Sequence, residues 1–334
     1  MIWCVFGSRL RAASAIAAAA AALISTPVNA GPGRVLRLGY ILSTDSQLGA
    51  GAKAFADELA RRTHGRLTVE QFPNSALGGE VEMLKGVQLG TIDLAFITGA
   101  PLPNIVPEVG VFNIPFLFRD AAHAHAVLDG PLGREYLEKF RAKDLVALAW
   151  GENGMRHITN SKHEIRKPDD LKGLKLRLPQ SQVMLAGFKA LGADAAPLAF
   201  PELYGALKSG QFDGQENPIA TILASKFAQV QKYLTLSQHV YDPAVIVMSI
   251  DAFEELDEGE TEAVIAAAKL GAAASRAYAA NAQAKGAAEL AQAGMQVTSE
   301  IDRGAFAAAM VSATPEFEKL FGAPVIAKIR DYKS

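Results

Sequence analysis

The stretch LKGLKLRLPQ SQVMLAGFKA LGADAAPLAF PELYGALKSG QFDGQENP, residues 171–218, decides the fold. Residues 175–178 alternate in polarity and read as a short strand; Pro179 ends it, so Arg177 falls at a strand's carboxyl end. The run 181–191 has helical spacing, a strand leads up to Phe200, a helix covers 201–209, and DGQENP closes another strand at Asn217. Strands alternating with helices predict an α/β architecture, in which ligands gather beyond the strands' carboxyl ends. A guanidinium and a carboxamide converging there suit a carboxylate, because arginine grips both oxygens at once.

An earlier unit echoes this one. Glu82, Gly90 and Asp93 recur as Glu202, Gly210 and Asp213, each displaced by 120 positions, with Met83, Val87 and Ile92 answered by Leu203, Leu207 and Phe212. Each copy reads as an amphipathic helix, a glycine stop and a short strand. The registration sets Ile97 opposite Asn217 and Thr98 opposite Pro218, and predicts two lobes of similar build facing one another across a cleft.

Further strands are expected at 34–41, 67–72, 143–150, 239–250 and 295–299, and helices from the STDSQLGAGAK segment through Arg62, after an Asp120 cap, and at 226–236. GENGMRHITN, residues 151–160, reads as a crossing into the second lobe and carries Arg156. An alanine-rich helix over 257–294 would be about 57 Å long if unbroken and would lie across both lobes, with Gly271 or Gly286 able to bend or end it. Two helices complete the chain. Lobe 1 is thus expected from 34–153 plus about 243–281, and lobe 2 from 154–242 plus about 282–334, with three crossings forming a hinge.

Composition bounds the function. The chain has 334 residues, half of them hydrophobic and a fifth charged, enough for two lobes. Arg9 and Arg11 precede an apolar run from 12 to 24, and Val28, Asn29 and Ala30 form a small-x-small site, so residues 1–30 read as a signal peptide with Gly31 as the mature start. Its loss takes the formal charge from −2 to −4, because the segment holds two arginines and no acid. No basic stripe points to nucleic acid. The one cysteine, Cys4, lies within the signal, which excludes thiol catalysis and thiolate metal sites from the mature part. His123 and His125 stand two apart on a helix and face different ways, an arrangement that does not make a metal pair. Gly49, Gly51 and Ala54 match a dinucleotide-binding spacing, but seven residues separate Gly49 from the preceding strand, so packing of small residues is the better reading. No P-loop, nucleophile elbow or zinc-protease helix occurs. Neither an enzyme nor a cofactor is expected.

LKGLKLRLPQ, the F-PELY turn and DGQENP, together with LGGEVEMLKGVQLGTIDLAF at 77–96, NIPFLFRDAAHAHAVLDG at 113–130 and NGMRHITNSKHEI at 153–165, resemble one family. They are similar to the extracytoplasmic solute-binding proteins of tripartite ATP-independent periplasmic (TRAP) transporters, of the DctP type. The resemblance covers nearly all of the mature chain. It implies a monomeric two-lobe periplasmic protein with a hinged cleft that captures a small organic anion and delivers it to separate membrane subunits. It also implies that Arg177 forms the salt bridge to the solute's carboxylate, Arg156 a second contact, and Asn217 a hydrogen bond. By the same alignment Phe200 walls the pocket, Glu80 accepts from ligand hydroxyls or an amine, and Tyr40, Thr98 and Gln180 lie near the rim. The rival readings are a binding protein of an ATP-driven importer or a sensor, and a periplasmic enzyme acting on an organic acid.

Overall fold

Alternating strands and helices are laid down in chain order in the computed structural model, which describes residues 33–333; the signal segment expected at 1–30 lies outside the described residues. The first half contains β1 (Arg34–Gly39), α1 (Gln47–Arg62), β2 (Leu67–Phe72), α2 (Glu80–Gln88), β3 (Leu94–Thr98), α3 (Ala121–Asp129), α4 (Pro131–Glu138) and β4 (Leu145–Asn160). Then come β5 (Lys175–Leu178), α5 (Gln182–Ala190), β6 (Asp194–Pro197), α6 (Phe200–Ser209), β7 (Gly214–Pro218), α7 (Ile219–Ala224), β8 (Tyr233–Thr235) and β9 (Tyr241–Ser249). The chain ends with α8 (Ile250–Glu254), α9 (Glu258–Gln292), β10 (Gln296–Thr298), α10 (Arg303–Met310), α11 (Thr314–Phe321) and α12 (Ala323–Arg330). Local chemistry sets several starts: Ser46, Asp120 and Ser181 each accept a backbone N–H from the first turn of α1, α3 and α5.

The strand order β2-β1-β3-β9-β4-β7-β5-β6 contains the same arrangement twice. β3 lies between parallel β1 and antiparallel β9, and β7 lies between parallel β5 and antiparallel β4. The echo in the sequence extends to individual hydrogen bonds. Asp93, ahead of β3, accepts from the Arg37 backbone N–H on β1 at 2.9 Å, and Asp213, ahead of β7, accepts from the Lys175 N–H on β5 at 3.0 Å. Both preceding helices stop at a left-handed glycine, Gly90 and Gly210. The two halves share β4, which pairs with β9 up to Met155 and with β7 from Arg156 onward. A register shift between Glu152 and Gly154, the latter at φ +128°, turns the strand where it leaves one half for the other.

α9 is one unbroken helix of 35 residues, about 52 Å long. Its Val264, Ala267 and Ala268 pack in the core that contains β1, β3 and β9, and Leu290 packs in the core beneath α6 and α7. Gly271 does not bend it. A Cβ on Gly271 would stand 2.8 Å from the Gly51 carbonyl oxygen on α1, and one on Gly51 would stand 2.8 Å from the Gly271 oxygen. The two glycines therefore let α1 and α9 cross closely, which accounts for Gly51, whereas a Cβ on Gly49 would meet the Thr44 backbone just before α1. Gly271→Ala is expected to destabilise by about 1–3 kcal/mol through this backbone clash, against about 1 kcal/mol of helix propensity gained. Urea denaturation would measure the difference, and a stabilised variant would contradict it.

Two segments depart from expectation. Residues 226–236 form a short 3₁₀ turn, Phe227–Gln229, and β8 instead of a helix. Lys226 is left-handed at φ +55°, and β8 is held by pairing with β4 and with β10, contacts remote in sequence. The C-terminal residues do not stay with the second half. Phe306 and Met310 join the core around α5, whereas Phe317 of α11 and Ile329 of α12 pack into the first half's core, where the His123 ring meets the Ile329 carbonyl oxygen at 3.1 Å. Three helices, rather than two, make up this end, and the chain crosses back.

Candidate functional site

Both arginines singled out in the sequence are buried, each about 2 % exposed, yet their surroundings differ. Arg156 projects from β4 between two acids. Its Nε and Nη2 donate to the Glu216 carboxylate, with Nη2 to Oε1 at 2.8 Å, and its Nη1 donates to Asp242 Oδ2 at 2.6 Å. Nη2 also reaches the Glu216 carbonyl oxygen at 2.8 Å and Asn217 Oδ1 at 3.2 Å. Burial alone would lower this guanidinium's pKa, but the adjoining Glu216 and Asp242 charges raise it above its ordinary value.

The two acids respond oppositely. Burial pushes Asp242 up despite its single contact to Arg156, whereas Glu216, although buried, is lowered because it takes two guanidinium bonds and also meets His239 Nε2 at 3.1 Å. The second Asp242 oxygen finds no partner among the described residues. Asn153 donates to the first at 2.7 Å, and Gln47 from α1 donates to Asn153 Oδ1 at 2.6 Å and Thr221 Oγ1 at 2.8 Å. The point where β4 changes partners thus carries a buried polar network drawn from β4, β7, β9, α1 and α7.

Arg177 has no such acids. Its Nε and Nη2 both donate to the Leu198 carbonyl oxygen, at 2.9 and 2.6 Å, and no carboxylate lies within ion-pair distance among the described residues. The guanidinium is turned by a backbone oxygen, which orients it without neutralising it. Burial pushes its pKa down to about 9, with the more distant Glu216 and Glu80 opposing and Arg156 reinforcing the shift. A buried cation left this way costs several kcal/mol unless an anion arrives.

Glu80 belongs to the other half of the repeat. At the start of α2 and 8 % exposed, it accepts from the Thr98 N–H at 2.7 Å and the Thr98 hydroxyl at 3.0 Å, both on the carboxyl end of β3. Burial raises its pKa to about 7; the Thr98 bonds and the Arg177 charge lower it, while Asp242 adds to the rise. Of the expected residues, Glu80 and Thr98 are in contact with each other, and Arg156 and Asn217 with each other, Asn217 being held between Arg156 and Gln215; Arg177 feels the charges of Arg156 and Glu80 without touching either.

Phe200 and Gln180 each line an opening. Phe200 packs against the cores of both halves and lines an opening of about 260 Å³ with Ile41, Ser43, Asn74 and Tyr204. Gln180 lies at a second opening, about 230 Å³, where its carbonyl accepts from Asn104 Nδ2 of the first half at 2.7 Å. Tyr40 departs from the expectation of a rim position. Its ring is fully buried in the first core, and its hydroxyl donates to Gln71 Oε1 on β2 at 2.9 Å.

Sequence reasoning missed Glu216, Asp242, Asn153, His239 and the Leu198 carbonyl. Glu216 offered one signal: it is a charged residue inside a strand ending in a buried turn, where an acid needs a cationic partner. Among the described residues, no three His, Cys, Asp or Glu side chains gather in metal-ligating geometry, and His123 and His125 do point to different partners, Ile329 and Glu152.

The fold and this site can be set beside known proteins. A TRAP periplasmic solute-binding protein from Polaromonas sp. JS666, solved bound to D-erythronate, shares 46 % identity at a TM-score of 0.89, covering 90 % of this chain and 99 % of that one. The sugar acid binding protein DctPAm from Advenella mimigardefordensis strain DPN7T, solved with galactonate, shares 37 % identity at a TM-score of 0.87, over 90 % of this chain and 97 % of that one. The 2,3-diketo-L-gulonate-binding periplasmic protein YiaO of Escherichia coli strain K12 is 39 % identical over 276 residues, 82 % of this chain and 84 % of that protein. The model of the DctP family, bacterial extracellular solute-binding protein family 7, matches residues 38–320. With a two-domain α/β build, a shared strand at the junction and one long helix across both halves, the chain belongs to the DctP family of TRAP solute-binding proteins.

Proposed function

We propose that this chain, exported by cleavage after Ala30, captures a hydroxylated monocarboxylic acid between its two lobes and delivers it to separate TRAP membrane subunits without chemical change. The carrying observation is Arg177, a buried cation for which the described residues supply a carbonyl oxygen and no acid within ion-pair distance. One uncompensated cation calls for one carboxylate. Arg156 adds no second free charge, since Glu216 and Asp242 already engage it, so it acts through Asn217 and by holding the junction. Glu80, Thr98 and Asn217 supply hydrogen-bonding groups for hydroxyls, and Phe200 an apolar wall. The relatives described above, two solved with D-erythronate or galactonate bound and one named for 2,3-diketo-L-gulonate, support acids of this chemistry.

The lobes would move about the junction of Met155 with Arg156 in β4 and about β9, while Asn104 to Gln180 holds the closed form. A thermal-shift screen of aldonic, uronic, keto and dicarboxylic acids tests the reading. Aldonic acids should stabilise most, by about 2.7 kcal/mol at 100 times the dissociation constant. A screen in which no carboxylic acid shifts the melting point would overturn it.

A further inference from the structure

Glu80 poses a problem that the rest of the cleft does not. It is the buried carboxylate on the first-lobe side of the site, and both its oxygens accept from neutral donors of Thr98. No cation lies within ion-pair distance of it among the described residues. The charged groups around it are few. Asp242 on β9 repels its charge, and Arg177 on β5 is the cation whose field favours it. On β4 and β7, Arg156 and Glu216 are paired with each other. Just past β1, Tyr40 is engaged with Gln71, and Glu82 sits two residues along α2 itself.

A solute carboxylate landing on Arg177 removes the one favourable field that Glu80 has and adds a negative charge beside it. With both side chains buried, the two changes act in the same direction, toward the neutral acid. Resting on the reading of Arg177 as the anion-binding group, we propose that capture of the organic acid is accompanied by uptake of a solvent proton on the Glu80 carboxyl group. The O–H bond formed there takes its proton from the buffer acid, no other bond changes, and the negative charge brought by the solute is balanced by the proton. The neutral Glu80 then offers a hydroxyl donor to the solute's tail as well as an acceptor. The site therefore reads a hydroxylated chain and penalises a second carboxylate at that end.

The pH window follows from the sign of the shifts. Burial already places Glu80 at about 7, and the bound anion moves it higher, so uptake occurs at and above pH 7 and affinity falls as pH rises between the two values. Buried His157, lowered to about 4, and buried His239, lowered from 6.5, titrate below that window, and Arg177, at about 9, above it.

The test is calorimetric titration of the full mature protein with D-erythronate and D-galactonate at pH 7 to 8.5, in buffers of different ionisation enthalpy. The observed enthalpy should vary with buffer enthalpy with a slope of about half a proton at pH 7 and more at pH 8, and the dissociation constant should rise toward tenfold per pH unit. Glu80→Gln, which keeps an acceptor for Thr98, should show no proton uptake and a flat pH dependence, with its melting curve confirming the fold. Binding without proton uptake, or uptake that persists in Glu80→Gln, overturns this proposal and leaves the functional reading standing. Failure of every organic acid to bind overturns the functional reading and this proposal with it.

Discussion

Arg177→Ala should abolish most of the affinity for the organic acid, by a factor of about 30 to several thousand, while the ligand-free protein stays folded and at least as stable. Truncating one partner of a buried charge pair costs about 2–5 kcal/mol, and here the partner left unpaired would be the solute's own carboxylate. The unliganded protein loses little, because among the described residues the Arg177 guanidinium bonds only to the Leu198 oxygen and has no acid within ion-pair distance. Arg177→Lys keeps the charge but gives up the paired grip on a carboxylate, so an intermediate loss is expected. Calorimetry with the acid identified by screening measures the first effect, and urea denaturation without ligand measures the second. An alanine variant that binds as tightly as the parent would remove Arg177 from the site.

Arg156→Ala should have the opposite profile. It leaves Glu216 and Asp242 buried beside one another without their cation, and a buried charge stripped of its partner destabilises by about 3–5 kcal/mol. Unfolding in urea should show that loss in the absence of any ligand. The combined variant Arg156→Met, Glu216→Leu, Asp242→Leu should recover much of the stability, because removing all the charges together removes the desolvation cost as well. If Arg156→Ala left stability unchanged and acted on affinity alone, the network would not be holding the junction.

This contrast between two arginines marks where sequence reasoning reached its limit. In the sequence both look alike, each a cation in a run of residues shared with the family. Arg177 stands at the end of β5 because Pro179 fixes where that strand stops, and it takes a carbonyl partner because the loop through Leu198 returns to it. Arg156 changed role because its partners come from 60 and 86 positions away, through pairings of β4 with β7 and β9 that no local pattern records. Tyr40 failed for a related reason. One strand residue is enough to move a side chain from the rim into the core, and its polar end was satisfied by Gln71 of the adjoining strand.

By itself the sequence determined the α/β alternation, the doubled helix–glycine–strand unit, the long α9 and the arginine that closes β5, since all of these rest on periodicity, caps and prolines within a few residues. Only the tertiary structure decided which buried arginine lacks an acid partner among the described residues, that β8 replaces a helix, and that α11 and α12 return to the first half. Those outcomes depend on which charges and apolar faces are brought together from distant segments, and burial makes a missing or present partner worth several kcal/mol where chain proximity alone says nothing.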